Sequence, residues 1–586
     1  MPELYGWTGR VLCINLTNKT SSILNPPDRI YHEFIGGKGM CGWYLRPHCT
    51  KPWDSPEMPL IFFTGPLTDT ESPTSGRFTV MSMSPLTGAA GDSSAGGKFG
   101  TEMKRAGWDG IIITGNSSSL CGVSISNSKV EICEADHLKG KAISEIFSLL
   151  PVKGSTAAVG PAAENGVLFA NISFDGHSFA GRTGLGLVMA SKRLKYIHIE
   201  GSGKTKIFNS GELSTAREDI FRLAAASPVL KGELGISEFG TGALYDLMHS
   251  RRMMPADNFR ETQFPHAGEM NAWHYRQKYK TEKTGCSGCH ILCKKNSSDG
   301  EPMPEFETMS HFSALIGNSD IGKVMEASHI CNEAGMDSIT AASTIACYME
   351  INRISPPEFD FLNLLYDISL SRGEGAVLKL GSFRYSSLSG NSIYSMSVKG
   401  LELPAYDPRG AYGMALAYAT STRGGCHLRA YPISHEILRK PVATDRFSFS
   451  GKARIIKLAE DMNAVIDSLT ACKFIFFAAS LEEYSKVFYA VTGVELYGSD
   501  LMAAGERIYY NERIMNSMNG FSSMEDDLPE RFFTLEGTSG DGISIPALNR
   551  EEFLETRKKY YKIRGLSPDG TPTKEKCNEL GLEWIN

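Results

Sequence analysis

Three cysteines crowd into the stretch Cys286-Ser-Gly-Cys289-His-Ile-Leu-Cys293, in a chain with 13 cysteines among 586 residues. Thiolates at CxxCxxxC spacing can turn inward on one metal centre, as cysteine runs do around iron–sulfur clusters, where a fourth ligand often comes from elsewhere in the chain. The spacing also admits a zinc knot completed by a further Cys or His, and His290 inside the run keeps that alternative open. The other cysteines are scattered singly. They do not form the regular framework of a secreted disulfide scaffold, so a reducing, cytoplasmic setting is expected.

Glycine-rich loops suggest a second kind of chemistry. Ser72-Pro-Thr-Ser-Gly76-Arg77 leads into an expected strand, Gly91-Asp-Ser-Ser-Ala-Gly96-Gly97 into an expected helix, and Gly181-Arg182-Thr-Gly184-Leu-Gly186 into another. Backbone N–H groups at a helix start, unobstructed by side chains, form an anion site, and a nearby arginine adds a bidentate donor. A phosphorylated cofactor fits such loops. None is a dinucleotide fingerprint, since Gly184-Leu-Gly186 lacks the third glycine at the required place. Glu326-Ala-Ser-His329 puts a carboxylate and an imidazole on one helix face, where both can reach one ion, although two side chains are too few to hold it.

The elements that position these residues fall into an α+β arrangement. Residues 1–208 read as strand-rich, from the period-two alternation of Gly9-Arg-Val-Leu-Cys-Ile-Asn-Leu through runs such as Pro59-Leu-Ile-Phe-Phe-Thr, Gly110-Ile-Ile-Ile-Thr and Leu194-Lys-Tyr-Ile-His-Ile. Short helices are expected after Gly97 and after Gly186. From residue 209 the pattern becomes mainly helical, with helices expected over 211–226, 241–249, 323–333, 338–351, 357–372 and 451–467. Two prolines and a glycine in Leu401-Glu-Leu-Pro-Ala-Tyr-Asp-Pro-Arg-Gly mark a second boundary, giving domains 209–402 and 403–586. No internal repeat is visible.

Composition removes some classes of function. A formal net charge of −6 leaves no basic footprint for nucleic acid. The most apolar runs fall far short of the roughly 20 residues that span a bilayer, so no membrane span is expected. The opening MPELYGWTGRVLCINL has no basic stretch followed by an apolar one and does not read as a signal peptide.

Several motifs in order, Tyr5-Gly-Trp-Thr-Gly-Arg-Val-Leu-Cys-Ile-Asn-Leu, Phe34-Ile-Gly-Gly-Lys-Gly, Gly65-Pro-Leu-Thr, Ser84-Pro-Leu-Thr-Gly, Ala180-Gly-Arg-Thr-Gly-Leu-Gly, the cysteine run, Leu403-Pro-Ala-Tyr-Asp-Pro-Arg-Gly and Arg423-Gly-Gly-Cys-His-Leu-Arg, resemble the aldehyde:ferredoxin oxidoreductase family. The resemblance covers essentially the whole chain. It implies an N-terminal base of two sheets for a bis-pterin that holds tungsten (in some relatives molybdenum), with two largely helical domains closing over it and a 4Fe-4S cluster alongside. The family's fourth cluster cysteine stands before a Lys-Phe pair, which Cys472-Lys-Phe matches, so the resemblance decides for a cluster on Cys286, Cys289, Cys293 and Cys472. Arg77 matches an arginine between cluster and pterin. Ser94, Ala95, Gly96, Gly97, Arg182 and Thr183 match pterin and phosphate contacts, and a Mg ion bridging the pterin phosphates is implied with them.

Two further pterin patterns are altered. The family's DxxGLC appears from Asp467 with Thr470 and Ala471 in place of glycine and leucine, and its DxxGLD appears as Asn332-Glu-Ala-Gly335-Met336-Asp337. Asn332 can accept through its carbonyl but cannot be an anionic partner for a pterin N–H pair. Thr470 lacks glycine's freedom if a positive φ is required there. Glu307 and His427 match a glutamate and a histidine near the family's metal, where they can move the proton that accompanies aldehyde oxidation and hold the substrate carbonyl. Some family dimers place an ExxH pair such as Glu326 and His329 from each subunit on an interfacial ion, which implies a homodimer.

The expected function is therefore an anaerobic oxidoreductase that converts an aldehyde to a carboxylic acid and passes electrons singly through the cluster to ferredoxin or a similar carrier. Two alternatives stand beside it. One is a family member acting on another substrate within a larger electron-transfer complex. The other, motivated by Asn332, Thr470 and Ala471, is a cluster-bearing paralogue without pterin chemistry.

Overall fold

The computed structural model describes residues 4–286, 288–356 and 359–584. Its N-terminal part contains two mixed six-stranded sheets. The first has strands β1 (Val11–Asn15), β2 (Thr20–Leu24), β3 (Leu60–Phe63), β4 (Phe78–Met83), β5 (Ala90–Ala95) and β6 (Gly110–Thr114), in the order β2-β1-β6-β3-β4-β5. The second has β7 (Cys121–Ser126), β8 (Lys129–Glu134), β9 (Ser155–Ala158), β10 (Ile172–Phe174), β11 (Ser178–Ala180) and β12 (Leu194–Glu200), in the order β8-β7-β12-β9-β10-β11. Each sheet has one parallel pair, β1 with β6 and β7 with β12, and is otherwise antiparallel.

The second sheet thus repeats the topology of the first strand for strand. This corrects the expectation of no internal repeat. Strand sequences need only fit a pleated, buried surface, so one topology can be kept by unlike residues. The duplication carries a shared feature. After β5 the chain passes Gly96-Gly97 into helix Phe99–Arg105, and after β11 it passes Gly181-Arg182-Thr183-Gly184 into helix Leu185–Ser191. The edge strands β5 and β11 lie against each other, which brings both strand-to-helix loops to one place.

Strand β3 reads LIFF and is buried throughout because its sheet is covered on both faces. Leu60, Phe62, Phe78, Val80, Ile111 and Ile113 face a core shared with the second sheet. Val11, Ile61, Phe63, Met81 and Ile112 face helices from the C-terminal region, including Ile456, Val465, Ile508 and Met515.

Helices Ser210–Ala226, Ile321–Ala334, Ser338–Asn352 and Lys452–Leu469 form where the 3.6-residue pattern places them. Other expectations shift. Gly91–Gly97 is not all loop: Ala90–Ala95 is strand β5, although it has no β-branched or aromatic residue to signal one. The segment 241–249 divides into a tight turn, Gly240–Ala243, and a helix, Leu244–Ser250. The helix expected from Pro357 runs Phe361–Leu370, capped by Asp360, while Pro357 and Glu358 lie outside the described residues. Long helices Leu481–Thr492, Gly498–Met518 and Arg550–Arg564, not singled out from sequence, complete the C-terminal part. Among the described residues no helix is long and apolar enough to cross a membrane.

The first sheet and the end of helix Lys452–Leu469 meet through glycines. A Cβ on Gly37 would lie 2.3 Å from the Asp467 carbonyl oxygen, and one on Gly65 would lie 2.4 Å from that of Leu469. Thr470 caps the helix at φ 59°, a left-handed conformation that costs a β-branched residue on the order of 1–3 kcal/mol. Its hydroxyl offsets that cost by contacting the Thr68 hydroxyl at 2.9 Å and accepting from the Gly65 N–H at 3.2 Å. Gly65→Ala is expected to lower stability by about 1–3 kcal/mol, read as a lower denaturant midpoint; an unchanged midpoint would show that this junction yields freely.

Candidate active site

Strands β13 (Glu282–Thr284) and β14 (Lys294–Asn296) pair antiparallel, with Thr284 opposite Lys294. That pair closes the base of the loop carrying Cys286, Cys289 and Cys293. Cys472 arrives from the other side, just beyond the Thr470 cap, and its N–H donates to the Thr74 carbonyl at 3.1 Å. All four cysteines line one cavity of about 1610 Å³. A single ligand pocket commonly measures about 300–1,000 Å³, so this space accommodates more than one bound group.

The four thiols are electrostatic neighbours. Burial, with smaller contributions from the other cysteines, pushes Cys472 up to about 11 and raises Cys293 well above an ordinary thiol, so both are protonated until a metal displaces the proton. Burial disfavours the charge on Arg77, but Cys472, Cys286, Asp467 and Cys293 outweigh it. Arg77 is fixed by Ser94, whose hydroxyl accepts from Nε at 2.9 Å and whose carbonyl accepts from Nη2 at 2.6 Å. Gly96 is needed for close approach, since a Cβ there would sit 2.3 Å from Cys286 Sγ.

Ser94, Ala95, Gly96, Gly97, Arg182, Asn332, Asp337 and Asp467 line the same cavity. Arg182 donates to the Glu402 carbonyl at 2.7 Å and pairs with Asp337 at 3.3 Å. Asp337 in turn caps helix Ser338–Asn352. Asp467 accepts from Lys473 Nζ at 2.7 Å. Two expected contact residues stand behind the wall instead. Thr183 is fully buried at φ 73°, its carbonyl accepting from the Ser84 hydroxyl at 2.8 Å. Gly335, at φ 73°, closes helix Ile321–Ala334 against Gly160. Glu326 and His329 are exposed on the outer face of that helix, away from the cavity.

Glu307 and His427 meet across the cavity, with Nε2 3.5 Å from Oε1. That is beyond an ordinary hydrogen bond and leaves room for a third group to engage both. Glu307 sits in the first turn of helix Phe306–Phe312 and accepts from the Ala405 N–H at 2.7 Å. Burial pushes its carboxyl up to about 8, offset in part by that N–H and by Arg182. Burial, then Arg182, Arg423 and Lys473, holds His427 well below an ordinary imidazole. Near neutral pH the pair is therefore a protonated acid facing a neutral base. Glu307 Oε1 and His427 Nδ1 are buried without a hydrogen-bond partner within the protein. Tyr406 lies 5.3 Å and Tyr431 6.0 Å from the His427 ring, and Phe477 extends the aromatic wall 6.0 Å beyond Tyr431.

Sequence reasoning gave no role to the charges beneath this cavity. Asp92 faces Arg429 and Lys38, and Glu512 faces the same two cations, all four being at most 3% exposed. Burial would raise the Asp92 carboxyl, but Arg429, Lys38 and Arg423 hold it well below the usual range. Arg423 donates to the Asp92 carbonyl at 2.7 Å and forks onto Cys426 Sγ at 3.1 and 2.9 Å. The available signal was that Lys38, Arg423 and Arg429 stand inside two of the motifs read from the sequence.

Most of the chain matches models of one family: residues 11–201 match "Aldehyde ferredoxin oxidoreductase, N-terminal domain", and residues 215–582 match "Aldehyde ferredoxin oxidoreductase, domains 2 & 3". The chain belongs to the aldehyde ferredoxin oxidoreductase family. Proteins named tungsten-containing aldehyde ferredoxin oxidoreductase from Thermococcus kodakarensis and Pyrococcus furiosus are each 35% identical over 608 residues, covering 99% of both chains. A Pyrococcus furiosus protein named as the WOR-like subunit of an aliphatic sulfonate oxidoreductase is 24% identical over 99% of this chain and 97% of its own. The solved BamBC active-site complex of benzoyl-coenzyme A reductase, with bound 1,5-dienoyl-CoA, shares the fold at a TM-score of 0.83, with 23% identity over 99% of this chain and 98% of that one.

The residues of this aldehyde ferredoxin oxidoreductase family member fit the groups such enzymes carry. Four thiols surround a common space beside Arg77, and two glycine-rich loops and Arg182 offer anion donors to the same cavity. Among the described residues no three His, Cys, Asp or Glu side chains come close enough to hold a single ion. Gly96→Ala is expected to displace Cys286 and cut iron and sulfide content at least about twofold in anaerobically prepared protein. Full iron content in that variant would show that the Gly96 contact is not needed to form the site.

Proposed function

We propose that this chain oxidises aldehydes to carboxylic acids at a tungsten (or molybdenum) bis-pterin centre and passes the electrons one at a time through a 4Fe-4S cluster on Cys286, Cys289, Cys293 and Cys472 to ferredoxin or a similar carrier. The observation that carries this reading is the placing of the four thiols, Arg77, the two glycine-rich loops and the Glu307–His427 pair on one cavity. When bound, the pterin-held metal supplies the two-electron redox chemistry. The protein supplies the rest. Protonated Glu307 donates a hydrogen bond from its carboxyl to the substrate carbonyl oxygen, and His427 Nε2 takes up a proton as aldehyde and water become acid. Tyr406, Tyr431 and Phe477 exclude water around the carbonyl and hold the apolar part of the aldehyde. Arg77, an electrostatic neighbour of the thiols and hydrogen-bonded to Ser94, would lie on the electron route. An Mg ion would lie with the pterin phosphates at the Ser94–Gly97 and Arg182 loops. The exposed Glu326–His329 pair would need its counterpart on a second copy to complete an ion site.

A second reading rests on the relatives. The sulfonate oxidoreductase subunit and the benzoyl-coenzyme A reductase complex have other substrates in their names, so the aldehyde could be replaced by a different redox substrate in the same cavity. Anaerobic purification from a host competent in both cofactors decides first. Tungsten or molybdenum with four irons per chain, and aldehyde-dependent viologen reduction, are expected; a folded protein with neither heavy metal would sink the proposal, and metal without aldehyde turnover would favour the second reading.

Glu307→Gln is expected to lower kcat by about 10²–10⁴-fold with metal content unchanged. Because folding raises the Glu307 carboxyl from 4.5 to about 8, its acid form persists up to that pH. Rates in the wild type should fall as pH rises through about 8, and that limb should vanish in Glu307→Gln. The same shift makes its stability contribution largest below about 4.5 and lost as pH rises through about 8.

A further inference from the structure

One buried nucleophile beside the site has no part in the chemistry described above. Cys426 stands between Arg423 and His427 and is 1% exposed, behind a stretch of cavity wall built by Arg423, His427, Leu428 and Arg429. Three N–H groups point at its sulfur. Arg423 donates from Nε at 3.1 Å and from Nη2 at 2.9 Å, and the Leu428 N–H donates at 3.3 Å. A thiol is a weak acceptor with a proton of its own to place, whereas a thiolate takes several donors at once.

The charges of the wall require the same thing. Lys38 and Arg429 are matched by Asp92 and Glu512, Arg182 by Asp337, and Lys473 by Asp467. Arg423, 6% exposed, gives Nη1 to the Asp92 backbone carbonyl and the rest of its fork to Cys426. A buried cation needs a partner, and a thiolate at Cys426 supplies the one that is missing. Burial disfavours that thiolate, but Arg423, Arg429 and Arg182 outweigh burial and draw the thiol below its ordinary value, whereas burial raises the thiols of Cys331 and Cys347.

The sulfur also shapes the loop. Its contact with the Leu428 N–H closes a ring across His427, as an Asx turn does, and the Tyr431 N–H donates to the His427 carbonyl at 2.9 Å. On the other side Gly425 is pressed against the Leu401 carbonyl oxygen, 2.4 Å from where its Cβ would be, and its N–H donates to the Val398 carbonyl at 3.1 Å. The His427 backbone is thus held from both sides. Burial keeps the Glu307 carboxyl protonated, and Asp337 and Cys426 are the negative neighbours that add to it. The other groups facing Glu307 are the Ala405 N–H, Arg182, His427, Tyr406, Tyr418 and Tyr431.

We propose that Cys426 is a buried thiolate, the counter-ion of Arg423, and acts as a positioning residue that holds His427 in place and Glu307 in its acid form. It acts from behind the wall, through Arg423 and the loop. The role rests on the reading of Glu307 and His427 as a working pair, but its test needs no turnover. Full-length protein, prepared anaerobically, is compared by infrared difference spectroscopy in the S–H stretching region and in the C=O stretching region of protonated carboxyls. At about pH 7, Cys426→Ser is expected to lose no S–H band, Cys347→Ser to lose one, and Arg423→Gln to gain one as the thiolate takes up a proton. The acid band that Glu307→Gln removes should titrate at about 8 in the wild type. It should titrate at least about half a pH unit lower in Cys426→Ser and return toward the wild-type value in Cys426→Asp, which keeps the charge. Loss of an S–H band in Cys426→Ser would overturn the thiolate, and an unmoved Glu307 band would overturn its hold on the acid. Should Cys426→Ser not fold, Arg423→Gln decides: no gain of an S–H band there overturns the proposal. Absence of aldehyde turnover in the wild type would count against the aldehyde chemistry alone, because neither band depends on it.

Discussion

Four buried charges tie the ends of this chain together. Lys38 follows the glycines near the N-terminus, Asp92 sits on β5, Arg429 follows His427, and Glu512 lies in helix Gly498–Met518. Two cations and two anions balance, and all four are at most 3% exposed. Removing one partner from such a buried set costs on the order of 3–5 kcal/mol, because another charge is then left uncompensated. The sheet and the C-terminal helices therefore assemble as one unit. The same network fixes Arg423 and Arg429 at the cavity wall, so the requirement that holds the chain together also orients its site.

The duplicated sheet gives the proposed pair of pterins two similar loops on one cavity. Each half ends in an edge strand followed by a glycine loop and a helix start, and β5 and β11 bring the two loops side by side. The loops differ in how they are anchored. Gly96 is constrained from outside by Cys286 Sγ, whereas Gly181 has nothing within 4 Å of where its Cβ would be and Arg182 beside it is held by Asp337 and Glu402. One loop is thus coupled to the thiols and the other to the helical roof that carries Glu307. A pair of related cofactors bound there would be distinguished by the protein even though the folds beneath them match.

Much of this was legible in the residues. The alternation in β1 and the apolar runs of β3, β6 and β12 signal strands because burial on one or both faces writes directly into side-chain type. The cysteine run was legible because three thiols within eight residues are rare, whereas Cys472 was legible only through the family resemblance, as the cysteine before Lys473-Phe474. Strand β5 was not, because Ala-Gly-Asp-Ser-Ser-Ala is held in a sheet by its neighbours and not by its own propensity. Nor was the Thr470 cap: only the fold shows that a threonine takes the left-handed position and that Thr68 and Gly65 make it tolerable. The buried quartet escaped because Lys38 and Glu512 are 474 positions apart, and no local pattern distinguishes a charge that will be buried from one that will be solvated.

Two carboxyls of the cavity, Asp92 and Glu307, show how differently the fold treats like groups. Asp92 is paired with Arg429 and Lys38 and stays charged, whereas Glu307 has only a backbone N–H in direct contact and is pushed toward the neutral form. Environment, and not residue type, makes one a buried anion and the other a neutral acid near neutral pH. His427 is kept neutral by burial and by the surrounding arginines and Lys473, so neither member of the pair carries a charge near neutral pH. That would matter beside the redox centre of the proposed function. With Arg182, Arg423 and Lys473 already lining the wall, a permanent Glu307 anion would compete with a carboxylate product for the same cations. Under the proposed aldehyde reaction a neutral pair would leave those cations available to the product, with the Glu307 acid set to donate to the carbonyl oxygen and His427 Nε2, 3.5 Å from Oε1, set to take up the proton released.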